Sequence, residues 1–318
     1  MLKIDLVKTE KRLTLQIPGS SSNLGPGLDT LALALGLYCR LSFTLLTEDD
    51  PNQPLVVWEG SAARQSLPTD MNNLVYKILS KLWADDPGLL RRMRVRVDSD
   101  IPLGCGLGAS SAIVLGTLWA AAYFTDQMPT TAQLLAEASK IEGYPEGLAA
   151  SLMGGLVICS RASSGDTLIA NHQVWPAAWK PIAIVPAERL QTATMRALLP
   201  DTISLSTAIR SLQKTALLVS SVSRMDEKGL QESLHDEIHE PYRIAQIGLL
   251  PKIRRLLVNE PILGCVSSGA GPSVLVLVHE RHKERVLGQL KNWLNGDADK
   301  TTILDLEVDH EGIKTLHA

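Results

Sequence analysis

Between residues 102 and 112 the chain reads PLGCGLGASSA, and the residue types and spacing there suit the binding of an anion. Three glycines in five residues, Gly104, Gly106 and Gly108, let the backbone bend and approach a ligand where any Cβ would clash. The stretch ASSAIVLGTLWAAAYF that follows predicts a helix starting at the loop. Its first N–H groups and the positive end of its dipole would face the same space, a combination that favours a phosphate. Ser110 and Ser111 add hydroxyls at the helix start, placed to touch a phosphate oxygen or a metal bound to it. The same residues also spell a strand-to-helix turn with a serine cap. No Gly-Lys-Ser/Thr follows, so this is not a Walker A loop, and the G-x-G-x-x-G spacing of dinucleotide binders is absent.

Other polar residues could serve an acceptor. Asn23 and Asp29 sit in NLGPGLD, where a short acid can take hydrogen bonds from an ammonium and an amide can bond donors or acceptors. Those residues equally spell a turn. Arg196 in TATMRALLP and Arg243 in HEPYR are guanidinium groups from separate segments, suited to bidentate capture of a carboxylate if they converge. His235 and His239 lie four apart on a helical pattern, a superficial metal face.

The elements that must position these groups alternate between strand and helix. RLTLQI (Arg12–Ile17) and MRVRVDS (Met93–Ser99) read as strands, the second running into the glycine loop. NLVYKILSKLWA (Asn73–Ala84) predicts a helix with Leu74, Ile78 and Leu82 on its apolar face, capped by Asn73. TTAQLLAEASKIEG (Thr130–Gly143) predicts a helix capped by a threonine and stopped at a glycine. GGLVICS (Gly154–Ser160) is a strand, and the polar stretch Arg161–Gln173 is the expected junction between halves. The second half predicts a strand at Lys180–Pro186, helices around Ser206–Met225 and Lys228–Glu240, and a strand at Val274–Val278. A helix at His282–Leu294 and a strand at Thr301–Val308 close the chain. The expectation is an α+β protein of two domains, residues 1–170 and 171–318.

Composition narrows the partners. With 318 residues, 45% hydrophobic and 20% charged, the chain has the balance of a soluble globular protein rather than a disordered one. A net charge of −3 with no lysine or arginine run argues against nucleic acid. No apolar run reaches the roughly 18 residues of a membrane span, and MLKIDLVKTEKR is too charged for a signal peptide. Cys39, Cys105, Cys159 and Cys265 are widely spaced and read as reduced thiols, so the expected compartment is the cytoplasm.

The glycine loop resembles the second motif of the GHMP kinases, the galactokinase, homoserine kinase, mevalonate kinase and phosphomevalonate kinase superfamily. Ala109 stands where that motif usually has its first serine, and Ser110 keeps the second. IPGSSSNLGPGLDTLALAL (Ile17–Leu35) is similar to the N-terminal homoserine kinase segment, and SSGAGPSVLVL (Ser267–Leu277) to the C-terminal glycine motif. TATMRALLP and HEPYR also resemble homoserine kinase segments. Five motifs in the right order identify the chain as a member of this family.

That resemblance implies a first domain like ribosomal protein S5 domain 2, a ferredoxin-like second domain, and an active site between them. It implies ATP and Mg²⁺ as cofactors, a small amino-acid substrate and a homodimer. Pro102, Gly104, Gly106, Leu107, Gly108, Ala109, Ser110 and Ser111 would cradle the phosphates, with Asn73 near the adenine-bearing part. Ser110 and Glu142 would hold Mg²⁺, although a glutamate at a helix end can be merely solvated. Asn23, Asp29, Tyr144, Arg196, Arg243 and Gly269 would line the substrate side, with Glu146 beside the reacting hydroxyl. The family implies no metal role for the histidine pair.

The acceptor loop departs from the family. Homoserine kinases usually read E-G-H-P-D-N there; this chain reads EGYPEG, with Tyr144, Glu146 and Gly147 at the changed positions. The leading expectation is phosphorylation of the L-homoserine side-chain hydroxyl in threonine synthesis. Another small carboxylate-bearing alcohol, or a nucleotide-binding regulatory homologue with weak turnover, stays open on these residues.

Overall fold

The computed structural model describes residues 10–60, 67–163, 167–296 and 301–317. The charged segment 1–9, read above against a signal peptide, lies outside them. The described residues open with two long strands, β1 (Lys11–Ser22) and β2 (Leu31–Leu45), paired antiparallel with a register shift between Pro18 and Gly19. Leu13, Leu15 and Ile17 alternate into the core, each such burial contributing roughly 1.5–3 kcal/mol. Then come β3 (Val56–Gly60), the helices α1 (Leu74–Leu82) and α2 (Pro87–Arg92), and β4 (Met93–Ser99), which delivers the chain to the glycine loop. The helices α3 (Ala109–Phe124), α4 (Thr131–Glu142) and α5 (Glu146–Met153) follow, then the hairpin β5 (Leu156–Arg161) and β6 (Leu168–Gln173).

The length of β2 organises this sheet. Its second half, Cys39–Leu45, pairs with β4, while its first residues, Leu31–Leu33, pair with β5. One strand therefore joins the part of the sheet that feeds the glycine loop to the part that follows α5. Helices α3, α4 and α5 pack together on Ala32 and Ala34 of β2. Helix α3 is apolar on nearly every face and is accordingly buried on nearly every face.

The second unit contains β7 (Trp179–Pro186), the helices α6 (Thr192–Arg196), α7 (Leu205–Arg224), α8 (Glu227–Ser233), α9 (Glu240–Arg243) and α10 (Leu249–Leu256), then β8 (Ile262–Ser267) and β9 (Val274–His279). Helix α11 (Glu280–Gly296) and β10 (Thr301–Asp305) complete it, and β11 (Lys314–His317) returns to pair with β1 in the first sheet. The strand order β10-β7-β9-β8, antiparallel throughout, is that of a ferredoxin-like sheet. Strand β9 is buried on both faces. Val274, Val276 and Val278 pack with α10 and α11, whereas Leu275 and Leu277 join a cluster that continues into β1 and β2. That shared core holds the two sheets in register around the cleft between them.

Three sequence expectations need correction. The buried face of α1 is Val75, Tyr76, Ile78 and Leu79; Leu74 packs at its edge, and Leu82, at the open end, is 49% exposed and not part of it. Arg161–Gln173, expected as the junction between halves, carries a strand of the first sheet, since β6 occupies Leu168–Gln173 and pairs with β5; residues 164–166 lie outside the described residues. The helix expected at Lys228–Glu240 stops at Ser233, and Asp236 then accepts the N–H groups of Ile238, His239 and Glu240 to start α9.

Candidate active site

The glycine loop leaves β4 and reaches α3 with Gly104, Gly106 and Gly108 all left-handed, at φ +69°, +76° and +82°. At Gly106 there is also no room, because a Cβ would lie 2.3 Å from the Ser268 carbonyl oxygen and 2.8 Å from that of Gly271. The loop is stitched to both units. Ser20 N–H donates to the Leu107 carbonyl (3.0 Å), and Ser268 Oγ donates to the Gly106 carbonyl (2.7 Å). Gly269 N–H donates to the Ser22 carbonyl (2.9 Å), so the loop after β8 closes over the end of β1. Gly108 starts α3 and offers no side chain to cap it, leaving the first turn with Ala109, Ser110 and Ser111 on the cleft wall. This is the arrangement of a phosphate cradle.

Helix α4 ends at Glu142, fixed at its start by a Thr130–Gln133 capping box and stopped by left-handed Gly143. The Ser110 hydroxyl donates to one Glu142 oxygen, and Ser111 Oγ donates to the other at 3.3 Å. A carboxylate at a helix C-terminus faces the negative end of the dipole, which costs a few tenths to about 1 kcal/mol. A cation between these oxygens would reverse that. One carboxylate and two hydroxyls are hard oxygen donors of the kind Mg²⁺ takes when phosphates supply other ligands, so the residues fit the metal.

Opposite this corner, Glu146 opens α5 and is 3% exposed. Its Oε2 is buried without a hydrogen-bond partner among the described residues. Burial, with a smaller push from Asp29 and Glu142, raises its carboxyl from an ordinary value of 4.5 to about 7.

The acceptor side is built from three segments. Asn23 and Asp29 are both left-handed, as their side chains tolerate, and Asn23 Oδ1 accepts the Asp29 N–H at 2.9 Å. Arg196, at the end of α6, forks onto Asp29 at 2.7 and 2.5 Å and lies 4.6 Å over the Tyr144 ring. The Asp29 carboxylate raises the guanidinium above its usual value. Arg243, in α9, is 2% exposed; burial, with the nearby Arg196 charge, pulls it down. Its Nε donates to the Met195 carbonyl (3.2 Å) and its Nη1 to His239 Nδ1 (3.4 Å), while His239 Nε2 donates to the Gly25 carbonyl (2.8 Å). Those two partners fix the histidine tautomer. His235 is exposed and takes no part, so the pair is not a metal face.

All the residues expected at the site line this one cleft except Asn73. That residue caps α1: its Oδ1 accepts from Val75 N–H (2.9 Å) and its Nδ2 donates to the Pro68 carbonyl (2.7 Å), away from the cleft wall. The structure adds Ser20, Ser22, Leu190, Thr192, Ala270 and Gly271 to the lining. The two serines lie inside the N-terminal motif and could have been read from it. Thr192 opens the TATMRALLP segment and could have been read from it too, whereas Leu190 carries no signal of its own.

Residues 73–155 match the family model for the GHMP kinases N terminal domain, and residues 218–296 match that for GHMP kinases C terminal. A homoserine kinase from Prochlorococcus marinus (strain MIT 9515) is 31% identical over 310 residues, spanning 96% of this chain and 97% of that protein. The chain belongs to the homoserine kinase family. A second homoserine kinase, from Synechocystis sp. (strain PCC 6803), is 30% identical over 88% of this chain and 90% of its own length. The crystal structure of homoserine kinase from Cytophaga hutchinsonii has the same fold, with a TM-score of 0.79 at 22% identity over 96% of this chain and 97% of that one. Mevalonate diphosphate decarboxylase from Staphylococcus aureus shares it more distantly, with a TM-score of 0.67 at 13% identity over 98% and 100%. The fold is thus the two-domain GHMP kinase fold, and it also carries chemistry other than that of the homoserine kinases.

Proposed function

We propose that the protein transfers the γ-phosphoryl group of ATP to the side-chain hydroxyl of L-homoserine, giving O-phospho-L-homoserine on the route to threonine. One observation carries this reading. A glycine loop at a helix start, a carboxylate–hydroxyl corner and two arginines with an aspartate face a single cleft.

The roles follow from the chemistry of each group. N–H groups of the Gly104–Ser111 loop hold the phosphate oxygens. Ser110 and Glu142, with Ser111 beside them, would hold Mg²⁺, which supplies charge neutralisation at the phosphates. Arg196 and Arg243 hold the acceptor carboxylate; Asp29 and Asn23 receive its ammonium. In the transfer the hydroxyl oxygen forms the new O–P bond as the β,γ-bridging P–O bond breaks, and the hydroxyl proton passes to the Glu146 carboxylate. That side chain is part of the cleft lining, and its raised affinity for a proton suits transfer near neutral pH. The longer Glu146 does the work of the family's aspartate. The Ser20, Ser22 and Ser111 side chains border the space over Gly147 where the family has an amide.

Among the described residues no helix is long and apolar enough to cross a membrane. All four cysteines are free and buried, in keeping with a cytoplasmic enzyme. A homodimer belongs to the same reading through the family resemblance.

The test is ADP release with ATP, Mg²⁺ and a panel of L-homoserine, L-serine and other small hydroxy acids. The reading expects L-homoserine to give the highest kcat/KM. A different preferred acceptor, or nucleotide binding with no turnover on any of them, overturns it.

A further inference from the structure

One wall of the cleft consists of three side chains in mutual contact. Asp29 and Arg196 form their two-pronged pair, and the Arg196 guanidinium rests on the Tyr144 ring. The same three residues line a second polar cavity behind the wall, together with Gly143, Cys159, Leu168 and the side of Arg161, a further cation in that space. They form a partition between two water-accessible spaces. The proposed acceptor needs both Asp29 and Arg196, yet both Asp29 oxygens and two Arg196 nitrogens are already engaged with each other.

We infer that the Asp29–Arg196 pair is a latch, opened by exchange only with an acceptor that carries both charges, and that Tyr144 is the residue positioning Arg196 during the exchange. This rests on the reading of the acceptor as an amino acid. A zwitterion replaces one ion pair with two, its ammonium on Asp29 and its carboxylate on Arg196, and leaves no charge unmatched. An alcohol with a carboxylate alone takes Arg196 and leaves Asp29 charged without its partner. An amino alcohol takes Asp29 and strands Arg196. Both side chains are about a third exposed, at 32% and 36%, so water from the two spaces replaces only part of the attraction that a stranded charge loses. Arg243 attracts Asp29 only through space, its Nε and Nη1 being tied to Met195 and His239, and so does not replace the two-pronged contact that Arg196 gives. The pair therefore discriminates against singly charged alcohols by repulsive as well as attractive means. Tyr144 contributes an aromatic face that holds the guanidinium without competing for its N–H groups.

The test compares L-homoserine with 4-hydroxybutyrate, which lacks the ammonium, and 3-amino-1-propanol, which lacks the carboxylate, in wild type and in Asp29→Asn. Wild type should disfavour each singly charged alcohol by about a hundredfold or more in kcat/KM. Asp29→Asn should lose L-homoserine activity yet use 4-hydroxybutyrate about tenfold better than wild type, because Arg196 is then free for its carboxylate. Simple loss of an ammonium contact leaves 4-hydroxybutyrate unchanged, and that result overturns the latch. Calorimetric binding of the same compounds gives the comparison should the variant turn over slowly. Arg196→Met with 3-amino-1-propanol is the mirror test should Asp29→Asn not fold. Tyr144→Leu should raise the KM for L-homoserine about tenfold with the ATP KM unchanged, and Tyr144→Phe should restore it. A loss confined to kcat removes the positioning role. Wild type that does not phosphorylate L-homoserine overturns the functional reading itself, a result distinct from an unchanged 4-hydroxybutyrate rate.

Discussion

The Ser110 hydroxyl at the first turn of α3 donates to the Glu142 carboxylate at the last turn of α4. Two helices thus meet at their oppositely charged ends, with the carboxylate at the end where the dipole disfavours it. If the corner holds Mg²⁺, Glu142→Gln should lower turnover by orders of magnitude while leaving thermal stability within about 1 kcal/mol. Ser110→Ala should cost less, because Ser111 also reaches Glu142. Steady-state rates beside melting curves make the check, and full activity in folded Glu142→Gln would remove the residue from the mechanism.

Arg243 is buried and makes its contacts through Nε and Nη1. Truncating one partner of a buried charge pair costs on the order of 2–5 kcal/mol. Arg243→Met should therefore raise the KM for L-homoserine about thirtyfold or more and leave the ATP KM nearly unchanged. Equal loss of both affinities would point to a disturbed contact between the two units.

Glu146 couples stability and activity to pH. Its carboxyl is raised to about 7 in the folded chain, so the folded state binds its proton more tightly than the unfolded state does. That stabilising contribution is complete below pH 4.5 and is lost as pH rises through about 7, an effect of about 3 kcal/mol. Glu146→Gln should gain stability over wild type between pH 5 and 8, and the gain should level off above that. The wild-type kcat should rise through about pH 7 as the carboxylate forms. A stability difference independent of pH would contradict the account.

Two glycines separate packing from conformation. A Cβ at Gly147 meets the Ser20 Oγ at 3.4 Å, an ordinary contact, and the residue is in the first turn of α5. Gly147→Ala should raise stability by about 0.5–1 kcal/mol and still lower turnover, because it narrows the space beside the reacting hydroxyl. Gly106→Ala should lower both, since its Cβ has no room between Ser268 and Gly271. Thermal melts of the two variants with matched rates distinguish the cases.

The glycine loop and α3 were legible in the sequence because left-handed glycines and an all-apolar helix leave strong local signals. Strand β6 was not. Among the described residues it pairs with β5 alone, and it shows polar residues on both faces, so its alternation is faint. The apolar face of α1 was misjudged because three leucine-type positions at helical spacing do not say which side meets the sheet. Asn73 could be read as ligand or cap, and its two hydrogen bonds show that it caps α1. The Asp29–Arg196 pair joins residues 167 apart, a relationship that only the folding of α6 against the N-terminal turn creates.

The central claim is transfer from ATP to the homoserine side-chain oxygen, and ³¹P NMR of the reaction with L-homoserine and Mg²⁺ tests it most directly. The account predicts a new phosphomonoester resonance, coupled to the side-chain methylene protons, growing in step with ADP. ADP accompanied only by inorganic phosphate, or an unchanged ATP spectrum, would contradict it.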